Sequence, residues 1–89
     1  MSIPPFESQP PKADHVTPYD ERHFVTYIRL LDAATEKADW KEAVSIIFGI
    51  NVEVEPTRAK AVHDSHLARA QWMTTTGYKD LLAKAREQR

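Results

Sequence analysis

The stretch from residue 39 to residue 77 constrains the fold most. It contains two segments whose apolar residues recur at helical spacing, joined by a segment that lacks this spacing. In the first segment Asp39 is placed to cap a helix, and Glu42, three residues later, completes a capping-box pattern. Gly49 is free to adopt the left-handed conformation that ends a helix. The large and small apolar residues on one face are Trp40, Ala43, Val44 and Ile47. These features predict a short helix between Asp39 and Gly49.

The second segment predicts a longer helix after a long turn. Pro56 or Thr57 suits its first position, because the N–H that proline lacks would be unpaired there in any case. One face carries Ala59, Val62, His66, Ala70 and Met73. We expect this helix to extend as far as Thr75 and residues 50–55 to form an ordered loop. Two helices joined by a turn are typical of a helix-turn-helix, although this turn exceeds the usual three or four residues.

One more helix is predicted before this unit and one after it. Thr17 is a good N-cap and Pro18 a good first residue, so a helix should begin there and run to about Thr35. Its apolar stripe is expected to contain Phe24, Tyr27, Ile28 and Leu31. A final helix is expected from Tyr78, packed back on the core. The predicted fold class is a small all-α domain over residues 17–89, a helix-turn-helix variant with an extended turn.

The first sixteen residues have a different composition. They contain four prolines, Pro4, Pro5, Pro10 and Pro11. Proline interrupts both helices and sheet ladders, so residues 1–16 are expected to form a disordered, proline-rich tail. An alternative interpretation is that Ile3 and Phe6 make this segment a docking peptide.

Composition limits the classes of protein to consider. The 89 residues predict a single domain, and the absence of cysteine excludes disulfides, thiolate metal sites and a cysteine nucleophile. Neither a signal peptide nor a run of about 20 apolar residues is present, so a cytoplasmic protein without membrane contact is expected. Two glycines are too few for a phosphate-binding loop, and the pair His63 and His66 lacks further ligands for a metal. We expect no catalysis, cofactor, metal or small-molecule ligand.

The charge distribution bears on nucleic-acid binding. The formal net charge is −1, whereas small DNA-binding domains are usually basic. Residues 14–55 carry nine acidic and four basic side chains, and residues 56–89 carry seven basic and three acidic ones. If the helix after the turn enters a major groove, the residues available for DNA are Arg58, Lys60 and Arg69. Glu53 and Glu55 in the turn would repel phosphates beside them.

Protein binding is the competing interpretation. Aromatic residues, methionine and arginine are enriched in interfaces. Exposed positions of the first helix, together with large residues near the C-terminus, are the candidates. The predicted partner-binding residues are Tyr19, His23, Tyr27, Trp72, Tyr78 and Lys79.

Five motifs carry a family resemblance: ADHVTPYD at residues 13–20, LLDA at 30–33, ADWKE at 38–42, SHLARAQWM at 65–73 and GYKDLL at 77–82. Together they resemble a bacterial domain-of-unknown-function family found on mobile elements. The combination covers nearly the whole chain beyond the tail. The resemblance implies a helix-turn-helix with an extended turn and a role in regulating horizontal gene transfer.

Within that family the chain is most similar to the QseM-type antiactivators. The resemblance implies that such a protein binds an FseA-like transcriptional activator by the face opposite the DNA side. A quorum-sensing regulator is an additional candidate partner. Binding would repress excision and conjugative transfer of an integrative and conjugative element. Other members are DNA-binding domains of activators and carry more arginine after the turn, where this chain has Ala61 and Gln71. A DNA-binding transcriptional regulator is the alternative function.

Overall fold

The computed structural model describes residues 5–77 and contains four α-helices. Helix α1 spans Pro18–Arg22, α2 spans Phe24–Thr35, α3 spans Trp40–Phe48 and α4 spans Pro56–Trp72, and a π-helical segment follows at Met73–Gly77. The residues described contain no β-strand, and the predicted all-α class is confirmed. The final helix predicted from Tyr78, including the packing of that residue on the core, lies outside the described residues.

The helix ends of α3 and α4 follow the local rules. The Asp39 side chain accepts a hydrogen bond from the Lys41 amide at 3.3 Å, and Gly49 has φ +70° in the left-handed region. Helix α4 begins at Pro56 as expected. Of the capping box predicted for Asp39 and Glu42, only the Asp39 half is present at α3. A reciprocal capping box forms instead at α1, where the Thr17 amide donates to the Asp20 carboxylate at 2.9 Å and the Asp20 amide donates to the Thr17 hydroxyl at 3.3 Å.

The extended turn is organised by Asn51. Its side-chain oxygen accepts from the Glu53 amide at 2.9 Å, and its carbonyl accepts from the Glu55 amide at 2.9 Å. Ile50 is buried in the core at the start of the turn. The turn is therefore an ordered loop, as predicted, and an Asx-type turn supplies the backbone hydrogen bonds that a tight turn would supply elsewhere.

Helix α4 lies at the centre of the fold and packs on both α2 and α3. The five residues predicted for its inner face are all buried, namely Ala59, Val62, His66, Ala70 and Met73. Leu30, Val44, Ile47 and Phe48 meet this face from the other two helices. The helical spacing after the turn therefore predicted the main core contact correctly.

The first predicted helix differs from the structure in two respects. It divides at His23, whose φ of −106° and ψ of 19° separate α1 from α2. Its buried face is also rotated, because His23, Tyr27 and Leu30 are buried whereas Ile28 is 56% exposed. The prediction placed apolar residues inward and left His23 outside. The structure instead turns α2 so that a polar His and Tyr reach the inner side of α4.

Residues 5–16, which we name the strap, have no helix or strand but lie against the helices. The Phe6 ring contacts the Phe48 ring with centroids 5.0 Å apart, Pro10 is buried, and Val16 is buried in the core. The described part of this segment has neither helix nor strand, but it makes contacts with the domain, whereas a disordered tail was expected. Proline prevented regular structure but left the carbonyl groups free to accept hydrogen bonds from side chains of the domain.

Candidate functional site

The exposed start of α4 holds two of the three residues predicted to contact DNA. Arg58 pairs with Glu55 at 3.3 Å and lies over the Phe6 ring, with 5.6 Å from Cζ to the centroid. Lys60 pairs with Asp64 at 3.4 Å and lies over the Trp40 ring at 4.6 Å. Both cations reach solvent, but each is partly compensated by a carboxylate on or beside its own helix.

The third predicted DNA contact, Arg69, is buried, so this part of the prediction is wrong. Its guanidinium donates to the Asp20 carboxylate from Nε at 3.0 Å and from Nη2 at 2.6 Å. It also lies over the Trp72 ring, with Cζ 4.0 Å from the centroid. Its hydrogen bonds to Asp20 raise the pKa of Arg69. A guanidinium buried and held in this way is not presented to a DNA base.

Asp20 is the acceptor at the centre of a buried polar network. Besides Arg69, its carboxylate accepts from the Tyr27 hydroxyl at 2.8 Å and from the Thr17 amide at 2.9 Å. Burial opposes ionisation of this carboxyl, but the hydrogen bonds from Arg69, Thr17 and Tyr27 outweigh it and hold its pKa below the ordinary value. Burial, with a contribution from Asp20, raises the pKa of the Tyr27 hydroxyl.

A second buried polar group surrounds His66. Its Nδ1 contacts the Val62 carbonyl at 2.8 Å and therefore carries the proton, so Nε2 accepts from the Tyr19 hydroxyl at 2.7 Å. Burial lowers the pKa of His66 and raises that of Tyr19. The His23 ring packs on Tyr19 with centroids 4.4 Å apart. These side chains join α1, α2 and α4 from the inside.

These contacts correct the predicted partner-binding set. His23 is fully buried with its Nε2 bound to the strap and Tyr27 is 2% exposed, so neither reaches a partner while the strap is in place, and Tyr19 is half-buried with its hydroxyl bound to His66. Trp72 is half-buried against Arg69. Tyr78 and Lys79 lie outside the described residues. The prediction placed Tyr19, His23 and Tyr27 at exposed positions of the first helix, whereas in the structure these side chains face inward.

An apolar groove that the sequence did not predict runs between α2 and the end of α4. It has a volume of about 260 Å³ and is walled by Phe24, Ile28, Leu31, Met73 and other residues of these two elements. Ile28 is 56% exposed at its edge. The helical spacing could not reveal this groove, because the predicted apolar stripe counted Ile28 as core. The remaining large apolar residues exposed in residues 5–77 are Val25, Ile46 and Val54.

The His63 and Asp64 side chains contact each other at 2.9 Å at the surface of α4. The hydrogen bond from His63 lowers the pKa of Asp64. His66, one turn later, faces the core instead of this pair. In residues 5–77 no three His, Asp or Glu side chains converge as a metal ion would require, and each helix there is too short or too polar to cross a bilayer.

Comparison with known proteins adds no family assignment. A scan against protein-family models finds none that matches the chain, and a search of curated proteins finds no matching relative. The functional interpretation therefore depends on the geometry of the chain's own surfaces and on the motif resemblance.

Proposed function

We propose that this protein is an antiactivator, which binds and sequesters a transcriptional activator and thereby represses excision and conjugative transfer of a mobile element. It acts through protein–protein contact and not through DNA binding or catalysis. The class of partner comes from the resemblance described above: an FseA-like activator, with a quorum-sensing regulator as a second candidate. Complex formation removes active regulator by mass action, so repression depends on the ratio of the two proteins.

One observation favours this proposal over DNA binding. Each cation that the sequence offered to DNA has a carboxylate partner within the domain: Arg58 has Glu55, Lys60 has Asp64, and Arg69 has Asp20. Affinity for DNA comes largely from uncompensated Lys and Arg that displace counterions from phosphates. Paired cations at a net charge of −1 provide little of that driving force.

The apolar groove between α2 and α4 is the surface we assign to the activator. Isolated exposed apolar residues are normal, but an apolar groove edged by Ile28 offers the kind of pocket that an interface anchor fills. It lies on α2 and the C-terminal end of α4, away from the Arg58 and Lys60 end that a DNA-binding relative would use.

The first test is fluorescence anisotropy of labelled duplex from the element's regulatory region, titrated with the full chain at low and at higher salt. We expect no binding even at low salt, where electrostatic attraction is strongest. Binding that weakens steeply with salt would favour the DNA-binding regulator. In that case Glu53→Lys with Glu55→Lys should strengthen it, because two repulsive carboxylates become cations.

The second test is co-purification with the activator, comparing Ile28→Asp with Ile46→Asp. The two isoleucines are similarly exposed, but Ile28 edges the groove and Ile46 lies on α3. We expect Ile28→Asp to weaken activator binding at least tenfold and Ile46→Asp to leave it within about twofold, since a charge in an apolar contact costs several times more than one in solvent. Equal weakening of activator binding by the two substitutions would contradict the assignment of this groove to the activator.

A further inference from the structure

The strap is held mainly by side chains that donate to its main-chain carbonyls. His23 Nε2 donates to the Pro5 carbonyl at 3.0 Å, and Ser65 Oγ donates to the Ser8 carbonyl at 3.1 Å. Arg69 donates to the Ala13 and His15 carbonyls at 2.6 and 2.9 Å. Four carbonyls spread over eleven residues are thus bound by three side chains of the helices, which together form a groove for an extended chain.

A site that binds carbonyls suits a proline-rich segment, and one of the four bound carbonyls is that of Pro5. A proline residue has a carbonyl but no N–H, so a proline-rich segment has acceptors to satisfy and few donors. The groove offers donors, and the strap carries Pro5, Pro10 and Pro11 among the described residues. Extended proline-rich peptides also lose little conformational entropy on binding, because their backbone is already restricted.

One side chain of the strap supplies an anchor. The Phe6 ring packs edge-on against Phe48 at 5.0 Å and near the His66 ring at 6.5 Å, and the Arg58 guanidinium lies over it. Contacts to carbonyls do not distinguish side chains, so this aromatic pocket is where the groove selects a sequence. An aromatic residue filling a pocket between polar contacts is the usual form of an interface anchor.

The site also contains a buried polar atom that has no hydrogen-bond partner among the described residues. Because His23 Nε2 donates to the Pro5 carbonyl, its Nδ1 is an acceptor, and that atom is buried and unpaired there. A buried acceptor without a partner weakens the arrangement that buries it.

We propose that this groove is a peptide-binding site and that the strap is its intramolecular occupant, which a proline-rich segment carrying an aromatic anchor, presented by a partner protein, replaces. The site is formed by Tyr19, His23, Phe48, Ser65, His66 and Arg69. It is separate from the groove assigned to the activator and does not depend on that assignment.

The strap should act as a tethered competitor. An external peptide sees only the fraction of molecules whose strap is open, so a strap closed 90–99% of the time weakens apparent affinity about 10- to 100-fold. A substitution that opens the strap without altering the groove should restore that affinity. Phe6→Ala is this substitution, because Phe6 belongs to the strap and fills the aromatic pocket.

The test uses a fluorescein-labelled synthetic peptide with the sequence of residues 1–16, titrated with the full chain and followed by anisotropy. We expect Phe6→Ala protein to bind the peptide at least tenfold more tightly than the unsubstituted protein. A peptide carrying alanine in place of its phenylalanine should bind the Phe6→Ala protein at least tenfold more weakly. Equal binding of the two peptides, or no binding of the peptide at millimolar concentrations of the variant protein, would overturn the proposal.

Two further measurements cover other outcomes. If Phe6→Ala fails to fold by circular dichroism, ¹⁵N-labelled unsubstituted protein is titrated with excess unlabelled peptide. Shifts confined to Ser65, His66 and their neighbours, with Ile46 unchanged, would support exchange at the groove, and no shifts would overturn it. Light scattering tests a second copy as occupant. A concentration-dependent dimer that the peptide dissociates would mean that straps are exchanged between copies, which would overturn the assignment to a partner protein.

Discussion

At the scale of single residues, Asp20 and Arg69 form an ion pair whose members depend on each other. Both are buried, and the pair is bidentate, with additional hydrogen bonds from Thr17 and Tyr27 to the carboxylate. Removing one member of such a pair leaves the other charge without compensation, which is much more destabilising than losing an exposed pair.

We expect Arg69→Met to lower the free energy of unfolding by about 3–5 kcal/mol. Arg58→Met is a matched control, because Arg58 also pairs with a carboxylate and lies over an aromatic ring but is exposed. Its loss should cost about 1 kcal/mol or less. Urea unfolding followed by circular dichroism measures both. Similar losses for the two variants would contradict the buried pair.

His66 and Asp20 should make stability depend on pH. Burial lowers the pKa of His66 below 6.5, so the unfolded chain takes up a proton first as pH falls. The contribution of His66 to the free energy of unfolding is complete above pH 6.5. It is lost as the pH falls through 6.5 toward the lower pKa that His66 has in the folded state. The Asp20 pKa is lowered from 3.8, so its contribution is lost only as pH falls through 3.8.

The expected profile is therefore a decline in unfolding free energy below pH 6.5 and a second decline below pH 3.8. Urea unfolding across this range measures it. His66→Gln keeps a donor and an acceptor but does not titrate, so it should remove the first decline and leave the second. If the His66→Gln protein retains the decline below pH 6.5, that decline arises from other titrating side chains.

At the scale of elements, two residues with positive φ follow helix ends, and glycine suits this backbone conformation better than lysine does. Gly49 has φ +70° after α3, and Lys37 has φ 58° after α2. A Cβ on Gly49 would meet nothing within 4 Å, so only backbone strain opposes a side chain there. The left-handed conformation costs a residue other than glycine about 1–2 kcal/mol.

These positions give opposite predictions. Gly49→Ala should destabilise the fold by about 1 kcal/mol, because it introduces the strain without a clash. Lys37→Gly should stabilise it by about 0.5 kcal/mol, because the backbone strain that it relieves is larger than the free-energy cost of the added backbone entropy in the unfolded chain. Thermal and urea unfolding of both variants measure this, with Ser45→Ala on the exposed side of α3 as control. Shifts of the same sign in the two variants would contradict the assignment of strain.

At the scale of the whole molecule, the strap extends the fold beyond its four helices. Its contacts reach α1 through Tyr19, the junction of α1 and α2 through His23, and α4 through Ser65. A domain of 89 residues buries a limited core, so a segment that covers its polar groups contributes noticeably to stability.

Hydrogen exchange distinguishes this strap from a loose tail. The Glu7 amide donates to the Tyr19 hydroxyl at 3.0 Å and should be protected from exchange. Tyr19→Phe removes that acceptor, so protection of Glu7 should fall at least tenfold. Tyr27→Phe is the control, because it removes a hydroxyl that binds Asp20 and leaves the acceptor of the Glu7 amide in place. In that variant the Glu7 amide should still exchange more slowly than an unprotected amide, once exchange through global unfolding is taken into account. An unprotected Glu7 in the unsubstituted protein would show that the strap is open.

The sequence by itself determined the features that depend on residues within about one helical turn. Thr17, Asp39 and Pro56 set helix starts, Gly49 set an end, and the spacing from Ala59 to Met73 set the inner face of α4. Capping, backbone conformation and helical periodicity act between near neighbours, so they can be read without knowledge of the rest of the fold. They were sufficient for the all-α class and the extended turn.

Only the tertiary structure decided which side of α2 faces inward and where the buried charges meet. Arg69 and Asp20 are 49 residues apart, and Ser65 reaches the strap across 57 residues. Local patterns treat His23 and Arg69 as exposed, because burial of polar groups is unfavourable until a distant partner satisfies them. Packing of α2 on α4 supplies those partners, and it leaves Ile28 at the edge of a groove instead of in the core.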